Sequence, residues 1–121
     1  MSVECIQHLE NSYQLKQKLA LEQEDKGDNN SAIYHYVEAI SRLELLCTSY
    51  KAHLKIGINL YLQYIETNLR LAILYKREDQ KDKHQALVIK TNTYIEKLES
   101  ILNDNHTIIN QLKEYKEILA H

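Results

Sequence analysis

Proline, phenylalanine and tryptophan are absent from this 121-residue chain, and glycine occurs only at Gly27 and Gly57. So few turn formers exclude a β-rich fold, whose tight hairpins need residues that tolerate positive φ. Nine tyrosines carry all of the aromatic character, so the core must be amphipathic, with hydroxyls reaching the surface or a partner. Cys5 and Cys47 lie far apart with no CxxC spacing. They are expected to be reduced, partly buried thiols. The most apolar stretch, Leu54 to Tyr75, is interrupted by Lys55, Glu66 and Arg70. It could cross a bilayer only at high cost, so direct membrane insertion is not expected. The start of the chain has no basic region followed by an apolar run. No signal peptide is expected, and the compartment implied is the cytoplasm.

Strong charge of one sign is missing too. The formal net charge is −2, far from the dense basic surface that a nucleic-acid binder uses to neutralise phosphates. Residues 1–50 are mildly acidic, with four Lys/Arg against eight Asp/Glu, which reads as a solvated face.

Recognisable chemistry is equally sparse. Histidines at 8, 35, 53, 84, 106 and 121 never form an i, i+4 pair with a carboxylate between them, so no metal site is expected. His35, following Tyr34, reads as a surface residue. Two glycines cannot build a GxSxG elbow, a Walker loop or a GxGxxG turn. Glu22, Glu24 and Asp25 sit beside Lys26 in a polar run, without the apolar pocket that general-acid chemistry requires. The expectation is therefore no catalytic, cofactor-binding or metal-ligating residue, and no enzyme.

What is present is helix-forming sequence. Leu, Ile, Lys, Glu and Gln dominate, and such residues lose little rotamer freedom in a helix or pack along one face of it. The 3.6-residue period predicts five amphipathic segments. The first spans about Val3 to Asp25, with Ile6, Leu9, Tyr13 and Ala20 on one face and Leu15 and Leu19 beside it. Gly27 suits the left-handed position after that helix, and Asn29 or Asn30 is placed to cap the next. The second segment, about Ser31 to Tyr50, carries the stripe Ala32, Tyr36, Ile40, Leu43, Cys47 and Tyr50. The third, about Ala52 to Lys76, carries two stripes. One is Leu54, Ile58, Leu62, Ile65, Leu69 and Ala72; the other is Tyr61, Tyr64, Leu71 and Tyr75, with Leu60 beside it. An apolar face that wide needs more than one neighbour. The fourth segment, capped by Asp79 or Asp82, carries Leu87, Thr91, Tyr94, Leu98 and Ile101. The fifth carries Ile108, Leu112, Tyr115 and Leu119, and the last two segments form a helical hairpin. No Pro-rich or Gly/Ser-rich linker interrupts the chain, so a single all-α domain, an antiparallel helical bundle, is expected over 1–121.

One constellation goes beyond composition. From Ala20 the chain reads Ala20-x-x-x-Glu24-x-x-Gly27-Asp28-x-x-x-Ala32-Ile33-x-x-Tyr36-x-x-Ala39-Ile40-x-x-Leu43. Small residues at 20, 32 and 39 let two antiparallel helices approach closely about a corner at Gly27, and Tyr36, Ile40 and Leu43 fill the space where they diverge. This pattern, with Tyr64-Ile65-x-x-Asn68-x-x-Leu71, resembles the MIT (microtubule-interacting and trafficking) domain over residues 9–76. Asn68 and Leu69 stand where that family usually has Ala and Glu. A tetratricopeptide-like bundle shares the alanine grammar, but its 34-residue period fails at Glu66 and Thr67.

The resemblance implies a three-helix core over 1–76 with a C-terminal hairpin over 79–120. It also implies a non-catalytic module that docks a short amphipathic helix of an ESCRT-III or autophagy-related partner in a groove. The groove expected from it comprises Val37, Ser41, Glu44, Ile58, Leu62, Ile65 and Leu69. The competing reading is that the C-terminal hairpin covers these residues, which moves the search to Tyr61, Tyr64 and Leu71. Such a protein would be cytoplasmic and recruited to membranes through its partners. The alternative class is a structural or dimerisation bundle, in which the wide face of the third segment pairs with another subunit as a homo- or hetero-oligomer.

Overall fold

The computed structural model describes all residues, Met1–His121. It is all-α, with 86% of residues in helix and no strand. Six helices follow one another: α1 (Val3–Asp25), α2 (Asn29–Cys47), α3 (Tyr50–Ile56), α4 (Asn59–Arg77), α5 (Lys81–Ile101) and α6 (His106–Ala120). They form two compact units, Met1–Thr67 and Asn68–His121. The boundary expected between the three-helix core (1–76) and the hairpin (79–120) lies at the end of α4, whereas this division falls inside α4.

In the first unit α1 and α2 form a hairpin whose corner is chemically explicit. Asp28 N–H donates to the Gln23 carbonyl at 2.9 Å and Gly27 N–H to the Glu24 carbonyl at 2.9 Å. This is the paired-bond ending of a helix, and it requires positive φ at the residue after the C-cap. Gly27 supplies it at φ +80°. Asp28 then caps α2, its carboxylate accepting from Ser31 N–H at 3.1 Å and from the Ser31 hydroxyl at 2.8 Å. The cap thus falls one residue before the expected Asn29 and two before Asn30, because a carboxylate at 28 already meets the open N–H groups. Ala20, Ala32 and Ala39 have no exposed surface, as a close helix approach demands.

The expected single helix from Ala52 to Lys76 is two helices. α3 stops at Gly57, whose φ of +78° and ψ of −156° lie in a region that only glycine occupies without strain. Ser49, not anticipated as a cap, opens α3 by accepting from Ala52 N–H at 3.2 Å, which also ends α2 earlier than expected. The break resets the helical phase. Leu54, placed on the core stripe by an unbroken period, is 66% exposed, and Tyr50 is 75% exposed. Further on, both stripes of α4 are buried: Leu62, Ile65, Leu69 and Ala72 on one, Leu60, Tyr64 and Leu71 on the other. Gln17 on α1 donates to Gln63 Oε1 at 3.1 Å and to Thr67 Oγ1 at 2.9 Å, which fixes α1 against the first half of α4. Lys55 on α3 reaches Gln7 Oε1 at 2.6 Å, so α3 is tied to α1 as well.

In the second unit, α4 ends with the same paired bonds as α1, from Gln80 N–H to the Tyr75 carbonyl and from Asp79 N–H to the Lys76 carbonyl. The positive-φ position is filled here by Asp79, at φ +57°. Asp79 is therefore the end of α4 and not the cap of α5; neither it nor Asp82 caps that helix, whose N-cap residue Gln80 makes no side-chain cap bond. Asn105 caps α6, accepting from Ile108 N–H at 3.2 Å. Ile108, Leu112, Tyr115 and Leu119 of α6 face inward with Thr91, Ile95 and Leu98 of α5. Ile101, expected to continue the α5 stripe, is 64% exposed at the last turn.

Candidate docking surface

α2 separates its residues cleanly. Ala32, Tyr36, Ala39, Ile40, Leu43 and Leu46 are buried, while Tyr34, Val37, Ser41 and Leu45 lie on the opposite face, since spacings of three and four residues stack along one side of a helix. All four are exposed, and three of them are large apolar or aromatic side chains. Single exposed apolar residues are ordinary, but an aligned row on one helix is a more specific feature.

The stripe is held in place on one flank by charge. Arg42 Nη1 meets Glu38 Oε2 at 2.6 Å, and Lys16 of α1 approaches Glu38 Oε1 at 3.7 Å. Arg42 Nε also donates to Ser12 Oγ at 3.2 Å, which ties the flank back to α1. The Tyr34 hydroxyl hydrogen-bonds to Glu38, and this bond, followed by Arg42, holds the Glu38 carboxyl below the usual carboxylate range. The same bond raises Tyr34 above the usual phenol value. Stripe residue Tyr34 is thus tethered by its polar end, with its ring largely exposed and edge-on to the His35 ring at 5.4 Å. Glu44 borders the other flank and is exposed.

From within, α2 is fixed by a contact that spans the corner. The Tyr36 hydroxyl, on a side chain only 1% exposed, donates to Glu24 Oε1 at 2.5 Å. Both residues stand in the sequence constellation, yet nothing in their spacing announced the bond. Tyr34 and Leu45 were missed too. The available signal was the second, weaker apolar row of α2 at i, i+3 and i+11, overshadowed by the stronger stripe.

The structure sorts the seven expected groove residues into two classes. Val37, Ser41 and Glu44 are exposed on α2, and Ile58 is half-buried at the start of the turn into α4. Leu62, Ile65 and Leu69 are 8%, 0% and 6% exposed, so they offer a partner almost no surface. Of the fallback positions, Tyr64 and Leu71 are also buried and Tyr61 is half-buried, its hydroxyl 2.7 Å from His53 Nδ1.

No group of three or more His, Cys, Asp or Glu side chains is arranged to hold a metal ion, and no helix is long and apolar enough to cross a membrane. Cys5 is exposed and Cys47 half-buried, both as free thiols. His35 is half-buried, with Nδ1 enclosed and without a hydrogen-bond partner. No protein-family model, curated protein or solved structure matches the chain.

Proposed function

We propose that this chain is a non-catalytic interaction module of MIT type that docks an amphipathic helix from a membrane-trafficking protein, an ESCRT-III or autophagy-related partner. The docking face is the solvent side of α2. The observation that carries this reading is the exposed row Tyr34, Val37, Ser41 and Leu45. Its spacing of i, i+3, i+7 and i+11 aligns it along one side of α2, where a partner helix can lay anchors set three and four residues apart. At 1.5 Å per residue, Tyr34 to Leu45 covers about 16 Å, three turns of a partner helix. The small side chain of Ser41 lies between larger neighbours, leaving a notch for an apolar knob from the partner. Glu44 and the Glu38–Arg42 pair supply a polar rim on either side.

The alanine-lined corner around Gly27, with the resemblance it carries over residues 9–76, supports placing the module in the MIT class. The revised surface drops Leu62, Ile65 and Leu69 as contact residues and keeps Val37, Ser41 and Glu44 from the expected groove. The module acts in the cytoplasm and reaches membranes through the partner it holds.

The test is a titration of ¹⁵N-labelled protein with synthetic C-terminal helices of ESCRT-III subunits. The reading predicts saturable shifts centred on Tyr34, Val37, Ser41, Glu44 and Leu45. Absence of saturation with every helix contradicts the trafficking assignment. Concentration-dependent shifts at the same residues without any peptide assign the face to self-association instead.

A further inference from the structure

The break between α3 and α4 is made by one glycine in sequence that is otherwise helical in pattern. Tyr50, Leu54, Ile58, Leu62 and Ile65 keep spacings of four and three residues straight through it. Gly57 turns the backbone there, at φ +78°. Nothing lies within 4 Å of a Cβ built at Gly57, so it is the bend and not the packing that requires glycine.

The bend leaves both hydrogen bonding and burial incomplete. A continuous helix would bond Leu60 N–H and Tyr61 N–H to carbonyls four residues back. Here they reach only three residues back, to Gly57 and Ile58, both at 3.1 Å. Before the bend, Tyr50 and Leu54 are largely exposed, although they continue the stripe on which Leu62 and Ile65 are buried. The contacts that hold α4 across the bend do not need to come from one chain. Gln17 of α1 donates to Gln63 and Thr67 of α4, and His53 Nδ1 of α3 lies 2.7 Å from the Tyr61 hydroxyl. Straightening would set residues 53 and 61 about 12 Å apart along one helix. The α4 of a second copy, entering the vacated seat, restores the same bonds.

We propose that two copies of this chain exchange α4: α3 and α4 straighten into one helix at Gly57, and each α4 packs on α1 of the other copy. The partner is a second copy of this chain, recognised by the seat that its own α4 fills. The exchange is symmetric, so the two straightened α3 segments meet at the centre, where Tyr50 and Leu54 pair and lose their exposure. Monomer and dimer share nearly all their contacts, and the hinge decides between them. A short hinge is the arrangement that favours such exchange. The outer face of α2 takes no part, so neither reading depends on the other.

The test is light scattering after gel filtration of the full chain, refolded at about 1 mM so that copies meet. A dimer should appear. Gly57→Ala strains the bend and favours the straight helix in both copies, so the dimer should tighten at least about a hundredfold. Two glycines inserted after Gly57 relax the hinge, and that variant should stay helical and monomeric. In a dimer mixed from ¹⁵N-labelled and ¹³C-labelled chains, nuclear Overhauser contacts should join the Gln17 side-chain amide of one copy to the Thr67 methyl of the other. The parent and the inserted variant decide the question even where Gly57→Ala does not fold. A parent that stays monomeric, an inserted variant that dimerises as tightly as the parent, a folded Gly57→Ala chain no more dimeric than the parent, or Gln17–Thr67 contacts only within one chain would each overturn the proposal.

Discussion

The α1–α2 hairpin and the α5–α6 hairpin are built from similar helices but close in different ways. The buried faces of α1 and α2 include small residues, with Ala20, Ala32 and Ala39 wholly buried among Tyr13, Tyr36 and Leu43. Polar ties then link the same two helices, from Tyr36 to Glu24, from Arg42 to Ser12 and from Lys16 to Glu38. Between α5 and α6 the contact is aliphatic, with Ile95 and Leu98 on one helix and Ile108, Leu112 and Leu119 on the other. One ion pair spans it, Lys116 to Glu99 at 2.7 Å. A close approach of small residues leaves no room for change, whereas branched side chains hold helices further apart and leave gaps. A cavity of about 430 Å³ lined by Ala72 and Leu119 is a gap of this kind, between α4 and α6 rather than within the α5–α6 contact. The two units should therefore fail in opposite ways, the first when side chains grow and the second when they shrink.

The largest effect is expected in the second unit. Leu112 is fully buried, and Leu112→Ala should cost about 2–5 kcal/mol by lost burial and a new void. A denaturant melt that shifts only slightly would mean that this hairpin collapses around deletions, contrary to the comparison. Next comes enlargement. Ala39→Leu in the first unit should cost about 1–3 kcal/mol because the facing helix cannot retreat. Ala72→Leu, beside the cavity, should cost less than about 1 kcal/mol, because the added atoms enter existing space. If the two enlargements cost the same, the alanine contact is not close and the comparison breaks.

The two helix ends sharpen it further. Gly27 and Asp79 occupy equivalent positive-φ positions, and nothing lies within 4 Å of a Cβ built at Gly27. Backbone strain alone should thus make Gly27→Ala unfavourable by about 1 kcal/mol, while Asp79→Gly should stabilise by a few tenths to about 1 kcal/mol. Paired thermal melts check both signs.

The smallest effect is a pH dependence of the first unit. Asp28 is held below the usual carboxylate value, chiefly by the Ser31 hydroxyl and then by the Ser31 N–H. Glu38 is lowered by the Tyr34 hydroxyl first and Arg42 second. A folded-state value below the unfolded one means that the unfolded chain binds protons more readily. The stabilising contribution is complete above the ordinary carboxylate value and is lost as pH falls through the depressed one. Amide protection at the start of α2 should therefore weaken on acidification below about pH 4, and Asp28→Asn should flatten that slope. An unchanged slope in the variant would remove Asp28 from the account.

Much of this was legible in advance because the deciding interactions are local. The bounds of α1, the buried face of α6 and the alanine corner follow from periodicity, a glycine and a run of small residues. The break at Gly57 was not, because Leu54, Ile58 and Leu62 keep a helical spacing straight through it. A single glycine costs a helix only about 1 kcal/mol, so it does not announce a stop. The better clue was Ser49, whose hydroxyl starts α3. The proposed docking face was only partly legible for a different reason. Period places Val37 and Ser41 on one side of α2 and Leu62 and Ile65 on one side of α4, but which side meets solvent is decided by distant parts of the chain. The wide apolar face of α4 proved to be interior, and the thinner row on α2 proved to be surface.

That reversal gives the most direct measurement of the central claim, that the chain works by docking a helix on the outer face of α2. Val37→Asp and Ile65→Asp are compared for thermal stability and for binding the same helical peptide. Val37 is 45% exposed, so its variant should melt like the parent yet lose binding by at least about tenfold, as desolvating an aspartate in an apolar contact requires. Ile65 has no exposed surface, so its variant should lose several kcal/mol of stability, roughly, through an unpaired buried carboxylate. The opposite pattern, with Val37→Asp binding normally and Ile65→Asp stable but unable to bind, would contradict the account and return the docking site to the face of α4.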